Sequence, residues 1–193
     1  MKTLLTGGTV LQENGTWIED CPILWEHGTI LATGEACGTY VADRTISAEG
    51  LHVLPGLVDV HTHGRSGFDF NTATAEQMRS MKRNYAMRGV TSVFATLASD
   101  TAEGWLRSIR AIEESDYEGV HFEGRYLNAG KRGAHAPGLL CPLDAADLEG
   151  ILQNVHLPCH ISAAYELDSD GSFAACARRF GGSYGACLYY GRE

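Results

Sequence analysis

The sequence predicts an α/β protein, in which a small all-β module (1-54) precedes a partial TIM-type (β/α) barrel (55-193) of about five strand–helix units. Short strands separated by turn residues fill the first part of the chain. From Leu57 onward, strands and helices alternate, which is typical of parallel βαβ units. A doubly wound open sheet shows the same alternation. However, no glycine-rich phosphate-binding turn follows the first strand, and residues of metal-ligand type gather at strand ends, so a barrel is favoured.

The module is predicted from short apolar runs and the turns between them. Ile23-Leu24-Trp25 and Thr29-Ile30-Leu31 flank Glu26-His27-Gly28, a pattern typical of a β-hairpin. We find no chemical motif in this part of the chain. His27 and His52 are therefore predicted to be structural, and the module is expected to resemble a small β-sandwich.

The barrel part is predicted to hold five strands and four helices. Thr74 is the predicted N-cap of the first helix, and Gly89 ends that helix. The strands are predicted at 57–60, 90–96, 119–122, 159–163 and 184–190, and the helices at 74–87, 101–114, 143–154 and 171–180. An eight-stranded barrel takes about 250 residues. We therefore expect that the chain is incomplete or that it finds its missing strands in a second copy, because an open edge leaves backbone groups unpaired.

Two histidines end the first barrel strand, in residues 54–64 (LPGLVDVHTHG). Side chains two apart share one face of a strand, so Asp59, His61 and His63 are predicted to point the same way, with both imidazoles able to reach one ion. An edge strand with polar residues facing water is the alternative for an isolated His-x-His. Glu123 ends the third strand and is predicted to lie on the same rim. Two imidazoles and a carboxylate suit zinc or another first-row transition metal in a hydrolytic site.

Other polar residues lie near this predicted rim. His121 shares a strand face with Glu123, and either orients that carboxylate or is a packed interior histidine. His135 falls in the long loop after the third strand, where a substrate contact is expected. No nucleophile motif surrounds the serines, and the residues left without a chemical role are His156, His160, Ser66, Ser99 and Ser162.

Composition limits the class of partner. The chain has 44% hydrophobic and 20% charged residues, typical of a globular protein, and a net charge of −9 that argues against nucleic acid or an anionic membrane. A local pair such as Lys131-Arg132 is still able to hold a phosphate. Six cysteines without C-x-x-C spacing indicate reduced thiols. With no signal peptide pattern and no run approaching the ~20 apolar residues of a membrane span, a cytoplasmic location is expected.

Four segments carry a resemblance to a known family. Residues 53–64 resemble the first barrel strand of the amidohydrolase superfamily. Residues 64–69 (GRSGFD), 119–124 (GVHFEG) and 131–135 (KRGAH) narrow the resemblance to the N-acetylglucosamine-6-phosphate deacetylase family. The resemblance covers nearly the whole chain and corresponds to roughly the first half of such an enzyme.

This resemblance implies a set of roles. Glu123 is the metal ligand of the third strand, and His61 and His63 match a first-strand pair that ligates a second metal in some members. Ala134 and His135 match the substrate-binding pair. The implied reaction is attack of water on the acetamide carbonyl of a phosphorylated N-acetyl amino sugar, assisted by a divalent metal ion.

The chain departs from the family at two positions and lacks later strands. Arg125 stands where the family usually has proline, and Arg192 follows Gly191 where the family has a ligating histidine. The remaining ligands, the phosphate-holding residues and the catalytic aspartate belong to later strands in the family. No catalytic residue is therefore assigned, and the chain alone is expected to be inactive.

Two alternatives stay open. The first is another amidohydrolase of the dihydroorotase or hydantoinase kind, although those families usually carry a lysine on the fourth strand and residues 159–163 contain none. The second is a non-catalytic half-barrel that associates with a second copy as a homodimer.

Overall fold

A computed structural model describes residues 1–181 and 183–186 of the chain, with only the backbone described for 183–186. The chain divides into two compact units, Met1–Pro55 and Gly56–Glu193. We propose that these units correspond to the module 1-54 and the barrel part 55-193. In the described part of the chain, no helix is both long and apolar enough to cross a membrane.

The first unit contains short strands arranged in two sheets. In chain order the strands are β1 Lys2–Thr6, β2 Thr9–Leu11, β3 Trp17–Ile18, β4 Ile23–Glu26, β5 Thr29–Thr33, β6 Arg44–Ser47 and β7 His52–Val53. The sheets have the orders β5-β4-β1-β6 and β3-β2-β7. The predicted hairpin is confirmed, because β4 and β5 are antiparallel and His27 and Gly28 between them have φ values of 49° and 78°. Two successive positive φ values are typical of a type I′ turn.

The second unit has the predicted alternation of strands and helices. Its elements are β8 Leu57–Thr62, β9 Gly64–Arg65, β10 Phe68–Asp69, α1 Ala75–Ala86, β11 Val90–Leu97, α2 Ala102–Glu113, β12 Gly119–Glu123, α3 Ala145–Leu152, β13 Cys159–Ala163, α4 Ser172–Arg179 and β14 Ser183–Ala186. The sheet order β14-β13-β12-β11-β8 is parallel throughout. The partial barrel is confirmed. Of the predicted fifth strand, residues 187–190 lie outside the described residues, as do Gly191 and Arg192.

Local signals explain where the helices begin and end. Thr74 forms a capping box with Gln77, whose backbone N–H donates to Thr74 Oγ1 at 3.3 Å while the Thr74 N–H donates to Gln77 Oε1 at 2.9 Å. Thr101 Oγ1 accepts from the Gly104 N–H at 3.0 Å at the start of α2. Gly89, with φ of 82°, follows α1 in a conformation that glycine adopts readily. These contacts satisfy backbone groups that a helix end leaves unpaired.

The hydrophobic core lies between one face of the parallel sheet and the helices. Val120 and Phe122 of β12 and Ile161 of β13 are buried on this face, against side chains such as Trp105 of α2 and Leu148 of α3. Because successive side chains of a strand point to opposite faces, the alternate residues of β12 and β13 lie on the inner face of the sheet. Those residues are His121, Glu123, His160 and Ser162.

Candidate active site

Two imidazole nitrogens converge on one carboxylate oxygen at the carboxyl ends of β8 and β12. Glu123 Oε2 lies 3.2 Å from His61 Nε2 and 2.9 Å from His63 Nε2. The three candidate ligand atoms all lie within 4.8 Å of one another, and no other such cluster occurs among the residues described. The structure thus brings together the three residues that the sequence singled out for a metal.

Asp59 lies outside this cluster, although strand alternation predicts that it points the same way as His61 and His63. Its Oδ1 accepts a hydrogen bond from the backbone N–H of His61 at 3.2 Å. The two imidazoles do meet, with ring centroids 5.4 Å apart and the rings nearly perpendicular. Asp59 therefore contacts the main chain of His61, whereas His61 and His63 share the cluster with Glu123.

The chemistry of these donors fits a divalent cation. Neutral imidazole and carboxylate are ligands that zinc takes in hydrolytic sites. When each imidazole carries its proton on Nδ1, two nitrogen lone pairs face a negative oxygen, and a bound cation removes that repulsion. His63 Nδ1 is buried without a hydrogen-bond partner in the described structure, so no partner of that nitrogen fixes the ring in place. The side chains of His61 and His63 remain 51% and 41% exposed.

His121 is a packed interior histidine and does not hydrogen-bond to Glu123. Its Nδ1 lies 3.2 Å from Thr96 Oγ1 and its Nε2 lies 2.9 Å from Ser162 Oγ, so both ring nitrogens are engaged by hydroxyls. Burial, and then the proximity of His160 and His61, lower the pKa of His121 to about 3. The imidazole is therefore neutral at physiological pH. His160, predicted to be structural, packs against this ring with centroids 4.9 Å apart.

The residues predicted to contact substrate lie beside the candidate metal-binding residues. Ala134 and His135 line a cleft of about 320 Å³ that His63 also lines. The other lining residues are Asp69, Ala98, Ser99, Ala136 and Leu139. In the same loop, Arg132 donates to the His135 carbonyl at 2.7 Å, so this guanidinium holds the loop backbone.

Two cleft residues were missed by the sequence reasoning. Ser99 follows β11 and contacts His135 Nδ1 through its Oγ at 2.8 Å. Its position just after the end of a strand is the signal that indicates a role at the rim. No nucleophile motif surrounds it, so a nucleophile pattern does not identify it. Asp69 reaches the cleft from the β9–β10 hairpin, which was also not predicted. Gly64 permits this hairpin, because a Cβ there would lie 2.0 Å from the Phe68 carbonyl oxygen.

Arg125 forms the turn directly after Glu123 and Gly124. Its φ is 40°, and its guanidinium donates to Asp147 Oδ2 at 2.7 Å. The same guanidinium lies 5.7 Å from the ring centroids of Trp105 and Tyr126. Burial acts to raise the pKa of Asp147, but hydrogen bonds from Arg125 and Tyr126 outweigh it, so that pKa lies below its ordinary value. Proline, the residue that the resemblance implies at this place, has neither this φ nor an N–H to donate.

Comparisons with known proteins support one relationship. No family model matches the chain. It is 30% identical over 142 residues to the N-acetylglucosamine-6-phosphate deacetylase of Vibrio furnissii, a match covering 69% of this chain and 35% of the relative. A dihydroorotase from Syntrophus aciditrophicus is 38% identical over 95 residues, which covers 48% of this chain and 21% of the relative.

A solved structure extends the match to nearly the whole chain. The N-acetyl-D-glucosamine-6-phosphate deacetylase of Mycobacterium smegmatis superposes with a TM-score of 0.77 at 26% identity, over 95% of this chain and 49% of that one. The chain spans less than half the length of each of these three relatives. The resemblance seen in the sequence is confirmed, and the chain is related, over part of their length, to the N-acetylglucosamine-6-phosphate deacetylases of the amidohydrolase superfamily.

Proposed function

We propose that this chain carries the metal-binding and substrate-binding part of an amide hydrolase that deacetylates a phosphorylated N-acetyl amino sugar. The observation that carries the proposal is the convergence of His61, His63 and Glu123 beside the cleft of Ala134 and His135. The names of the relatives support the substrate class. A dihydroorotase-like activity has less support, because that match covers 48% of the chain.

The proposed site divides its tasks between two groups of residues. His61, His63 and Glu123 would hold a divalent ion, zinc or another first-row transition metal. Such an ion supplies a Lewis acid that polarises an amide carbonyl and lowers the pKa of water. Ala134 and His135 bind and orient the sugar, and the small side chain of Ala134 leaves room in the cleft. The proposal does not require turnover by the chain alone, since the base is expected on strands that the relatives carry later.

Loss of the Glu123 carboxylate is expected to remove the metal. We expect about one zinc ion per chain to bind to the wild-type protein, and the Glu123→Gln variant to bind at least about tenfold more weakly, because it loses the only charged ligand. Elemental analysis after dialysis gives the stoichiometry, and calorimetric titration with Zn²⁺ gives the affinity.

A second glutamate provides a matched control for this measurement. Glu113 faces a single histidine, His156, at 3.3 Å on the surface of the same unit. Glu113→Gln should therefore leave metal binding unchanged. Equal binding of the metal by wild type and Glu123→Gln would contradict the assignment of the site.

We also propose a reducing, cytoplasmic location with neither nucleic acid nor a membrane as partner. The cysteines in the described part of the chain are all free, and they are Cys21, Cys37, Cys141, Cys159 and Cys176. Free and mostly buried thiols are usual where the medium is reducing. The net charge of −9 disfavours association with nucleic acid and with anionic lipid.

Self-association is a second candidate property, favoured by the outer strand of the barrel sheet. Within the described residues, β8 pairs with β11 alone, and β8 and β14 are the outer strands. Leu57, Val58 and Val60 of β8 are 56%, 64% and 58% exposed. An exposed apolar edge strand is a template for pairing with another chain. We propose that a second copy covers this edge in a homodimer.

Placing charge on this edge is expected to weaken the homodimer. The wild-type protein should sediment at twice the chain mass, and Val58→Lys should shift the dissociation constant at least about tenfold, because charge on an edge strand opposes pairing. Val41→Lys is the control, since Val41 is 86% exposed and belongs to the first unit and not to the barrel sheet. A folded wild-type protein that sediments as a monomer would exclude the homodimer.

A further inference from the structure

We infer that Ser99 is a positioning residue, which fixes the orientation and the tautomer of His135 so that His135 Nε2–H is presented to the ligand. This inference rests on the proposed function for the identity of the ligand, a phosphorylated N-acetyl amino sugar. The positioning of the ring is carried by the contacts that Ser99 makes with His135 and Arg125. Ser99 also lines the cleft, together with His63 and His135.

The tautomer follows from the donors that face His135 Nδ1. The backbone N–H of Ser99 points to this nitrogen at 3.4 Å, and a backbone N–H is only a donor. Ser99 Oγ lies 2.8 Å from the same nitrogen. That oxygen accepts the N–H of Arg125 at 3.0 Å and can donate its own proton to Nδ1, in agreement with the backbone donor. His135 Nδ1 is therefore an acceptor, and the proton of the neutral ring lies on Nε2.

The turn after β12 makes this approach possible. Gly124 has φ of 145°, and a Cβ on it would lie 2.3 Å from Ser99 Oγ and 2.4 Å from the Ser99 nitrogen. The absence of a side chain at Gly124 therefore lets Ser99 reach between the turn and the loop. Since Arg132 holds the His135 carbonyl at 2.7 Å, His135 is held through both its ring and its backbone.

The consequence concerns the kind of atom that the cleft recognises. An imidazole with its proton on Nε2 donates a hydrogen bond from that nitrogen to an acceptor. Acetamide carbonyl and hydroxyl oxygens of an N-acetyl amino sugar are such acceptors. Ser99 acts through His135, and it links the turn that follows Glu123 to the loop that carries the substrate-binding pair.

Two measurements test the inference: one detects the tautomer of His135, and the other measures the affinity for the ligand. In protein labelled with ¹⁵N-histidine, long-range proton–nitrogen spectra at a pH where the ring is neutral should show His135 as the Nε2–H form. Ser99→Ala keeps the backbone N–H, which lies 3.4 Å from Nδ1, but loses the closer hydroxyl at 2.8 Å, so part of the ring population should move to the Nδ1–H form. Ser99→Thr, which keeps the hydroxyl, should restore the single Nε2–H form. Titration of the metal-loaded chain with N-acetylglucosamine 6-phosphate gives the binding affinity. This affinity should be about tenfold weaker in Ser99→Ala and should recover in Ser99→Thr.

Ser115→Ala is the control for general loss of a buried hydroxyl. Ser115 Oγ donates to the carbonyls of Ala75 and Ala111, away from the cleft, so this variant should keep the wild-type tautomer. Helical circular dichroism checks that each variant is folded. A wild-type His135 protonated on Nδ1, or a Ser99→Ala spectrum identical to wild type, would overturn the inference. The expected tautomers without any binding of the sugar phosphate would instead count against the proposed function alone.

Discussion

Replacing Arg125 by proline is expected to lower the free energy of unfolding of the second unit by about 3 kcal/mol or more. Proline fixes φ near −65°, whereas Arg125 has φ of 40°. The substitution also removes the N–H that donates to Ser99 Oγ and the guanidinium that pairs with Asp147. Asp147 would then remain partly buried without its cation. Proline is therefore expected to be unfavourable at this position of the chain.

The Arg125→Gly variant separates the backbone effect from the ion pair. Glycine tolerates a positive φ and keeps the N–H, so it loses only the contacts of the guanidinium. Urea unfolding followed by helical circular dichroism reports the second unit, because all four α-helices of the described structure lie there. If Arg125→Pro were as stable as Arg125→Gly, the backbone conformation at this turn would be different from the one described.

Trp105→Ala is expected to destabilise the second unit by about 3–5 kcal/mol, the usual cost of truncating a buried tryptophan. Trp105 is fully buried, and its ring packs against Phe122 and Tyr126. Its Nε1–H donates to the Ala98 carbonyl at 2.7 Å, one residue before Ser99. Truncation leaves a cavity between α2 and the sheet, and it frees the segment that positions the cleft.

Trp105→Phe separates the contribution of packing from that of the hydrogen bond to the Ala98 carbonyl. Phenylalanine keeps most of the apolar volume and loses the hydrogen bond to Ala98, which costs about 0.5–1.5 kcal/mol. The same urea titration measures both variants. An equal loss of stability in Trp105→Phe and Trp105→Ala would show that the hydrogen bond, and not the packing, dominates at this position.

Much of the second unit was predictable because its signals are local. Thr74 and Gly89 delimit α1 through contacts within a few residues, and in 159–163 (CHISA) apolar and polar side chains alternate as a half-buried strand requires. The convergence of the candidate metal ligands was predictable for a related reason. His61, His63 and Glu123 lie at strand ends, and parallel strands bring their carboxyl ends to one edge of the sheet.

The remaining features depend on contacts between distant parts of the chain. Ser99 acquires its role only because Gly124 and His135, 25 and 36 residues away in the sequence, lie against it. The left-handed conformation of Arg125 has no sequence signal, since non-glycine residues seldom adopt it. The orientation of His121 toward Thr96 and Ser162 is likewise set by neighbouring strands, and both alternatives were equally consistent with strand alternation.

The openness of the two histidines at the rim affects how the protein must be purified. Nickel and copper prefer the same imidazole nitrogens as zinc, and copper binds them more tightly. Half of the His61 side chain is accessible to solvent, so nickel leaching from an affinity resin would enter the site during preparation. A tag-free protein, stripped with a chelator before loading, is therefore the right starting material for testing which ion the proposed site binds.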